Sequence, residues 1–293
     1  MSRARVVVKP VPGEDDEPLE PEVLIPDVAR ALNPLVRRIV ANNPGMMTGP
    51  GTNTYLVGID EIVVVDPGPD DEAHLDAITG CGGDRIRWIA LTHTHPDHAP
   101  GAQKLRERTG AELLAFDRRD GTKPDRRLAD RDTIDATEFR LQAVHTPGHA
   151  SNHLCYYLPE ERMLLSGDHL MNGSTVVIKP PDGNMGHYLD SLAKVRKLRL
   201  RSIGPGHGPV IENPVEIIDW TVTHRLAREA KVLAALETRG TATIAVLLPD
   251  VYGDVDPILY PVARYSLHAH LLKLVDDGIV LGKSLTGRWT TVT

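Results

Sequence analysis

The six positions from His93 to His98 carry three imidazoles and a carboxylate, in the order His93-Thr94-His95-Pro96-Asp97-His98. The run follows Trp88-Ile89-Ala90-Leu91, an apolar stretch that reads as a buried strand delivering the chain to a loop. Side chains two apart in an extended segment point to the same side. His93 and His95 can therefore share one metal ion, while Asp97 and His98 turn toward a second. Pro96 stiffens the loop and helps fix the direction of the donors.

Further donors stand at comparable places. His149 follows the turn Thr146-Pro147-Gly148, and Asp168 follows the strand-like run Leu164-Leu165-Ser166-Gly167. His207 lies in Gly204-Pro205-Gly206-His207-Gly208, where so much glycine implies that the backbone comes close to something. Each alone is ordinary among 13 histidines. Together, His93, His95, Asp97, His98, His149, Asp168 and His207 supply the nitrogen and oxygen donors that two bridged divalent ions require. Histidine-heavy ligation suits zinc first, and a bridging carboxylate also accommodates iron or manganese. A water between two such ions has its pKa lowered toward about 7, which makes a hydroxide nucleophile at neutral pH.

The spacing of apolar residues predicts a layered α/β fold. Strands are expected at Thr54 to Val57, Ile62 to Val65, Arg85 to Leu91, Glu112 to Ala115, Phe139 to His145, His153 to Tyr157 and Met163 to Ser166. Helices are expected at Asp71 to Ile78, Gly101 to Thr109 and Tyr188 to Leu198. After Trp220 the pattern becomes helical, with helices at Val222 to Glu237, Thr243 to Leu248 and within Pro257 to Asp276. A terminal strand pair, Ile279 to Leu281 and Arg288 to Val292, completes the outline of a winged helix. The expected organisation is an acidic flexible arm over residues 1–22, a catalytic domain over 23–222 and a winged-helix-like domain over 223–293.

No apolar run approaches the roughly 18 to 20 residues that span a bilayer, and the N-terminus has no apolar core of secretion-signal length. A cytoplasmic protein with no membrane association is expected. Cys81 and Cys155 are expected to stay reduced there. The net charge of −7 does not suit nonspecific binding to phosphate backbones. Aromatic residues, at 4%, are too sparse for a base-stacking platform.

With these motifs in place the sequence resembles the metallo-β-lactamase superfamily. The resemblance rests on Asp66 in VVVDPG, the HTHPDH run, His149 in TPGH, Asp168 in SGDH and His207 in GPGHG. It implies an αββα sandwich with the site at one edge. It implies that His93, His95 and His149 hold one metal, that Asp97, His98 and His207 hold the other, and that Asp168 bridges them. Asp66 matches a position that supports the site without ligating metal. Asp97 is expected to orient the attacking hydroxide. His145, His153, His169 and His187 lie near the motifs, and one of them could protonate a leaving group.

Within the superfamily, Asn43-Pro44-Gly45, Gly49 to Val57, HTPGHASNH, SGDH and GPGHGPVI resemble the lactamase-like group with a C-terminal winged helix. That group includes an endoribonuclease acting on single-stranded RNA and related thioesterases. The resemblance leans slightly toward RNA, with Arg118 to Arg131 and Lys194 to Arg201 as the candidate basic segments. The net charge leans toward a thioester or ester of a small acyl group. A non-catalytic nucleic-acid-binding protein on the same scaffold is the contrasting reading. The C-terminal segment is nearly neutral, which argues against duplex DNA as a partner and fits a wall over the active site or a homodimer contact.

Overall fold

The computed structural model describes residues 23–292. The acidic arm expected over residues 1–22 lies outside them. The chain divides into two compact units. The first comprises the chain up to His145, Asn152–Thr175 and Arg199–Pro214. The second comprises Thr146–Ser151, Val176–Leu198 and the chain from Val215 onward.

Two sheets build the first unit. One has seven strands in sequence order: β1 (Arg30–Ala31), β2 (Val36–Val40), β3 (Asn53–Val57), β4 (Ile62–Val65), β5 (Ile86–Ala90), β6 (Glu112–Ala115) and β7 (Arg126–Arg127). It is antiparallel from β1 to β4 and parallel from β4 to β7. The other has five, β8 (Thr133–Asp135), β9 (Arg140–His145), β10 (Leu154–Leu158), β11 (Met163–Gly167) and β12 (Ser202–Pro205), with β11 and β12 parallel. Helices α1 (Glu72–Gly82) and α2 (Gly101–Thr109) complete the unit.

Strand alternation explains the layering. Tyr55 and Val57 of β3, with Val63 and Val65 of β4, enter a core shared with Leu141, Leu154, Tyr156 and Leu165 of the second sheet. Their neighbours Leu56, Ile62 and Val64 face the other way and pack with Leu75 and Ile78 of α1 and Leu105 of α2. A strand buried on both faces reads as a continuous apolar run, which is why Ile62-Val63-Val64-Val65 has no polar alternation. The strands that matter for chemistry end together: β4 runs into Asp66, β5 into the histidine loop, β11 into Asp168 and β12 into His207.

The second unit contains α3 (Met185–Val195), all but the first residue of α4 (Pro214–Arg239), α5 (Ile244–Val251) and α6 (Tyr260–Asp276). It ends in a three-stranded sheet of β13 (Thr241–Thr243), β14 (Val280–Leu281) and β15 (Arg288–Thr291), with β15 central. Its core joins Val232 and Leu236 of α4, Leu247 and Val251 of α5, Leu267, Leu271 and Leu274 of α6, and the fully buried Trp289.

Two expectations need correction. The long helix begins at Pro214, not Val222. Proline is well placed in a first helical turn, where its missing N–H costs nothing, and the segment before Trp220 continues the helix without a break. β2 was not expected at all, because Arg37 and Arg38 interrupt its apolar pattern; Arg38 is nonetheless 2% exposed.

Candidate metal centre

Asp66 is the pivot of the site. Its backbone is left-handed, with φ of 50°, a region that aspartate tolerates better than most residues. One carboxylate oxygen accepts the Thr92 backbone N–H at 2.7 Å. The other accepts the Thr92 hydroxyl at 2.6 Å and faces His98 Nδ1 at 2.8 Å. Thr54 Oγ1 donates to the Asp66 carbonyl at 2.6 Å, and Thr54 is met in turn by His74 Nε2 at 2.9 Å. Asp27 closes the chain of contacts, 2.9 Å from His74 Nδ1. Burial pushes His74 below the ordinary imidazole value, against the opposing pull of Asp27.

These partners decide which ring nitrogen of each histidine carries the proton. An ionised carboxylate only accepts, so His98 carries its proton on Nδ1 and presents the Nε2 lone pair. His207 Nδ1 lies 3.2 Å from the Gly51 carbonyl, which likewise only accepts, and so presents Nε2. Thr92 has spent its proton on Asp66, so His93 Nδ1, 3.0 Å away, donates to it and presents Nε2. His149 follows the same rule within the second unit, its Nδ1 donating to the Val177 carbonyl at 2.7 Å. Four histidines are thus held in one tautomer by partners on the far side of the ring, as ligating histidines generally are.

The freed atoms converge. His98 Nε2 and His207 Nε2 are 3.3 Å apart. Asp168 Oδ1 is 3.4 Å from the first and 3.3 Å from the second. Asp97 Oδ2 is 3.5 Å and 3.1 Å from the same two atoms. Beside them, His93 Nε2 faces His95 Nδ1 at 2.9 Å. Ligand atoms of His93, His98 and Asp168 lie within 4.8 Å of one another, and so do those of Asp97, His98 and His207. Two lone pairs and two carboxylate oxygens crowded at this range repel unless a positive charge lies among them. The donor set therefore fits a metal ion.

The electrostatics agree. Burial would depress His98, but the carboxylates of Asp168 and Asp66 outweigh it and push the imidazole well above its ordinary value. Burial would raise Asp97, but its contact with His207 and the charge of His98 hold its carboxyl below the usual range. The cluster attracts cations.

Close approach explains the glycines. A Cβ on Gly206 would lie 2.6 Å from Asp168 Oδ1 and 2.9 Å from His98 Cε1. The glycine-rich loop ends where backbone passes directly behind the ligands.

The four candidate leaving-group acids separate. His153 is fully buried and its Nε2 faces the Asp168 backbone N–H at 3.2 Å, so it supports that ligand's loop. His169 is fully buried as well, its ring 6.2 Å from that of His153. His145 stacks on Phe116 at 4.2 Å. His187 is exposed on the first turn of α3, in the second unit. The sequence reading gave no role in the site to Thr92, Thr54, His74, Asp120 or Asn152.

Comparison with known proteins agrees with this geometry. Residues 47–207 match the metallo-beta-lactamase superfamily, and residues 243–289 match the beta-lactamase associated winged helix domain. A beta-lactamase-like protein 2 homolog from Drosophila melanogaster is 32% identical over 278 residues, covering 87% of this chain and 92% of its own length. An atrochrysone carboxyl ACP thioesterase from Aspergillus fumigatus is 30% identical over 250 residues, covering 78% of each chain. A beta-lactamase domain protein from Burkholderia ambifaria shares the fold with a TM-score of 0.78, at 21% identity over 92% of this chain and 95% of its own. The histidine and aspartate cluster thus sits where strands converge in a recognised fold, and the chain belongs to the metallo-beta-lactamase superfamily.

Proposed function

We propose that this protein is a metal-dependent thioester hydrolase. The observation that carries the reading is the convergence of Asp97 and Asp168 on His98 Nε2 and His207 Nε2, each carboxylate oxygen within 3.5 Å of both ring nitrogens. His93 and His95, with Asp97, His98, Asp168 and His207, would hold the divalent ions. Zinc is the expected metal. When bound, such ions activate water near neutral pH and polarise a carbonyl oxygen.

The protein's own groups prepare that chemistry. Asp66, the Gly51 carbonyl and Thr92 hold three imidazoles in the tautomer that donates a lone pair. Asp97, with its side chain 26% exposed, is the ligand best placed to accept a hydrogen bond from the attacking water and aim it. Burial of His93, His98, Asp168 and His207 limits competing solvent.

A thioester is favoured over RNA on two grounds. A relative of 30% identity is named as an acyl carrier protein thioesterase. Several cations in or near the candidate basic segments are paired within their own units. Arg119 pairs with Asp117, Arg126 with Glu112 and Arg106 with Asp125. In the second unit Arg196 pairs with Asp219, Arg228 and Lys231 with Asp254, and Arg239 with Asp250.

The test is thiol release from a panel of acyl-coenzyme A and acyl-pantetheine thioesters, run beside cleavage of labelled single-stranded RNA. Thiol release that disappears in His98→Ala supports the proposal. RNA cleavage without thiol release overturns it in favour of the nuclease.

A further inference from the structure

Between the two histidines that face each other stands Thr94, whose role no motif assigns. It is 5% exposed. Its hydroxyl donates to Asp120 Oδ2 at 2.6 Å, which uses its single proton. Asn152 Nδ2 lies 3.0 Å from the same hydroxyl oxygen and 3.4 Å from Asp117 Oδ1. Both of these neighbours can only accept, so the amide must present its NH2 to them. Thr94 therefore has its donating and accepting roles filled from two different segments, the loop after β6 and the residue preceding β10 by two positions.

The loop after β6 is shaped for this contact. Asp120 has φ of 50° and Gly121 has φ of 84°, a left-handed pair that reverses the chain. Aspartate is one of the few residues besides glycine that accepts this conformation, through its short polar side chain. Here that side chain is also the one that reaches Thr94.

His93 and His95 flank Thr94, and their facing ring nitrogens lie 2.9 Å apart. When alternate residues share one side, the residue between them points to the other. Holding Thr94 from behind fixes the backbone that carries both imidazoles. A threonine left to rotate would let the two rings drift, and metal geometry is sensitive to outer partners of this kind.

We propose that Asp120, assisted by Asn152, is a positioning residue that clamps Thr94 and so sets the spacing of His93 and His95 as a metal-binding pair. The inference rests on the reading of this cluster as a metal site. Asp120 touches neither metal nor substrate; it acts through the Thr94 hydroxyl.

The experiment uses the full chain loaded with zinc, with release to a chromophoric chelator followed by stopped flow. A cobalt-substituted sample, read by its visible absorption, reports the ligand geometry. Thr94→Val removes the hydroxyl while keeping the shape. Asp120→Gly removes the carboxylate and suits the left-handed backbone. Thr94→Ser and Asp120→Asn keep a hydroxyl and an acceptor. The expected result is zinc release about 10- to 100-fold faster in Thr94→Val and Asp120→Gly, with altered cobalt bands. Thr94→Ser and Asp120→Asn should stay close to wild type. Thermal unfolding of the metal-free proteins identifies a variant that has lost its fold, in which case the other of the pair, Thr94→Val or Asp120→Gly, decides the matter. Wild-type release rates and cobalt spectra in Thr94→Val and Asp120→Gly would overturn the inference alone. A wild-type protein that holds no zinc would overturn the metal reading and the inference with it.

Discussion

His98 and Asp66 form a fully buried pair, with Nδ1 2.8 Å from a carboxylate oxygen, that faces one side of the imidazole to protein and the other to the donor cluster. The pair fixes the tautomer, orients the ring and supplies a negative charge one ring away from the ligand atom.

Asp66→Asn tests that pair cleanly. Asparagine tolerates the left-handed backbone as aspartate does, so the fold should persist. The amide cannot accept from Thr92 and His98 together as the carboxylate does. Affinity for zinc should fall about 10- to 100-fold, measured by competition against a chelator of known strength.

Gly206→Ala should separate site from fold in a different way. The new methyl would press on Asp168 and on the His98 ring. Because the strain falls on ligands and not on the apolar core, the thermal midpoint of the metal-free protein should change little. Bound metal after dialysis should drop. Retention of wild-type metal content would show that the loop relaxes around the methyl.

Tyr156→Phe reports on the strand that leads into the histidine loop. The phenol donates to the Leu91 carbonyl at 2.7 Å, and burial pushes its pKa well above the ordinary value. Removing it leaves that buried carbonyl without this donor, at a cost of about 1–3 kcal/mol. Urea unfolding at constant pH measures the loss.

The second unit carries a pH signature of its own. Burial, with the nearby charges of Arg225 and Arg228, lowers His224 to about 4. An unfolded histidine titrates near 6.5, so between about 4 and 6.5 the unfolded chain binds more protons at this position. Stability from neutral His224 is therefore complete above about pH 6.5 and declines as pH falls toward 4. Since the ring is only half-buried, solvent moderates the effect. His224→Gln should flatten the slope of unfolding free energy against pH in this window by a fraction of one proton, with little change at pH 8. Parallel slopes for the two proteins would refute the assignment.

Much of this architecture could be read along the chain. Ile62 to Val65 and Glu112 to Ala115 appear as strands at the predicted residues, and α2 spans Gly101–Thr109 as its spacing implies. Here local apolar pattern and tertiary burial agree. β2 escaped because a charged pair occupies its centre, and the start of α4 escaped because compositional change was taken for a structural boundary.

The sequence by itself determined the donor types, their density around residues 93–98 and the alternation that buries Tyr55 and Val57 on one face and Leu56 on the other. Tertiary structure alone decided which nitrogen of each histidine carries the proton. That choice depends on partners far away in the chain: Asp66 stands 32 positions from His98, Gly51 156 from His207, and Asp120 26 from Thr94. Asp66 meets His98, and Asp120 meets Thr94, because neighbouring strands of one sheet align their ends, while Gly51 meets His207 only when the two sheets stack. A hydrogen bond depends on distance and direction in space, and local sequence pattern encodes neither across so long a separation.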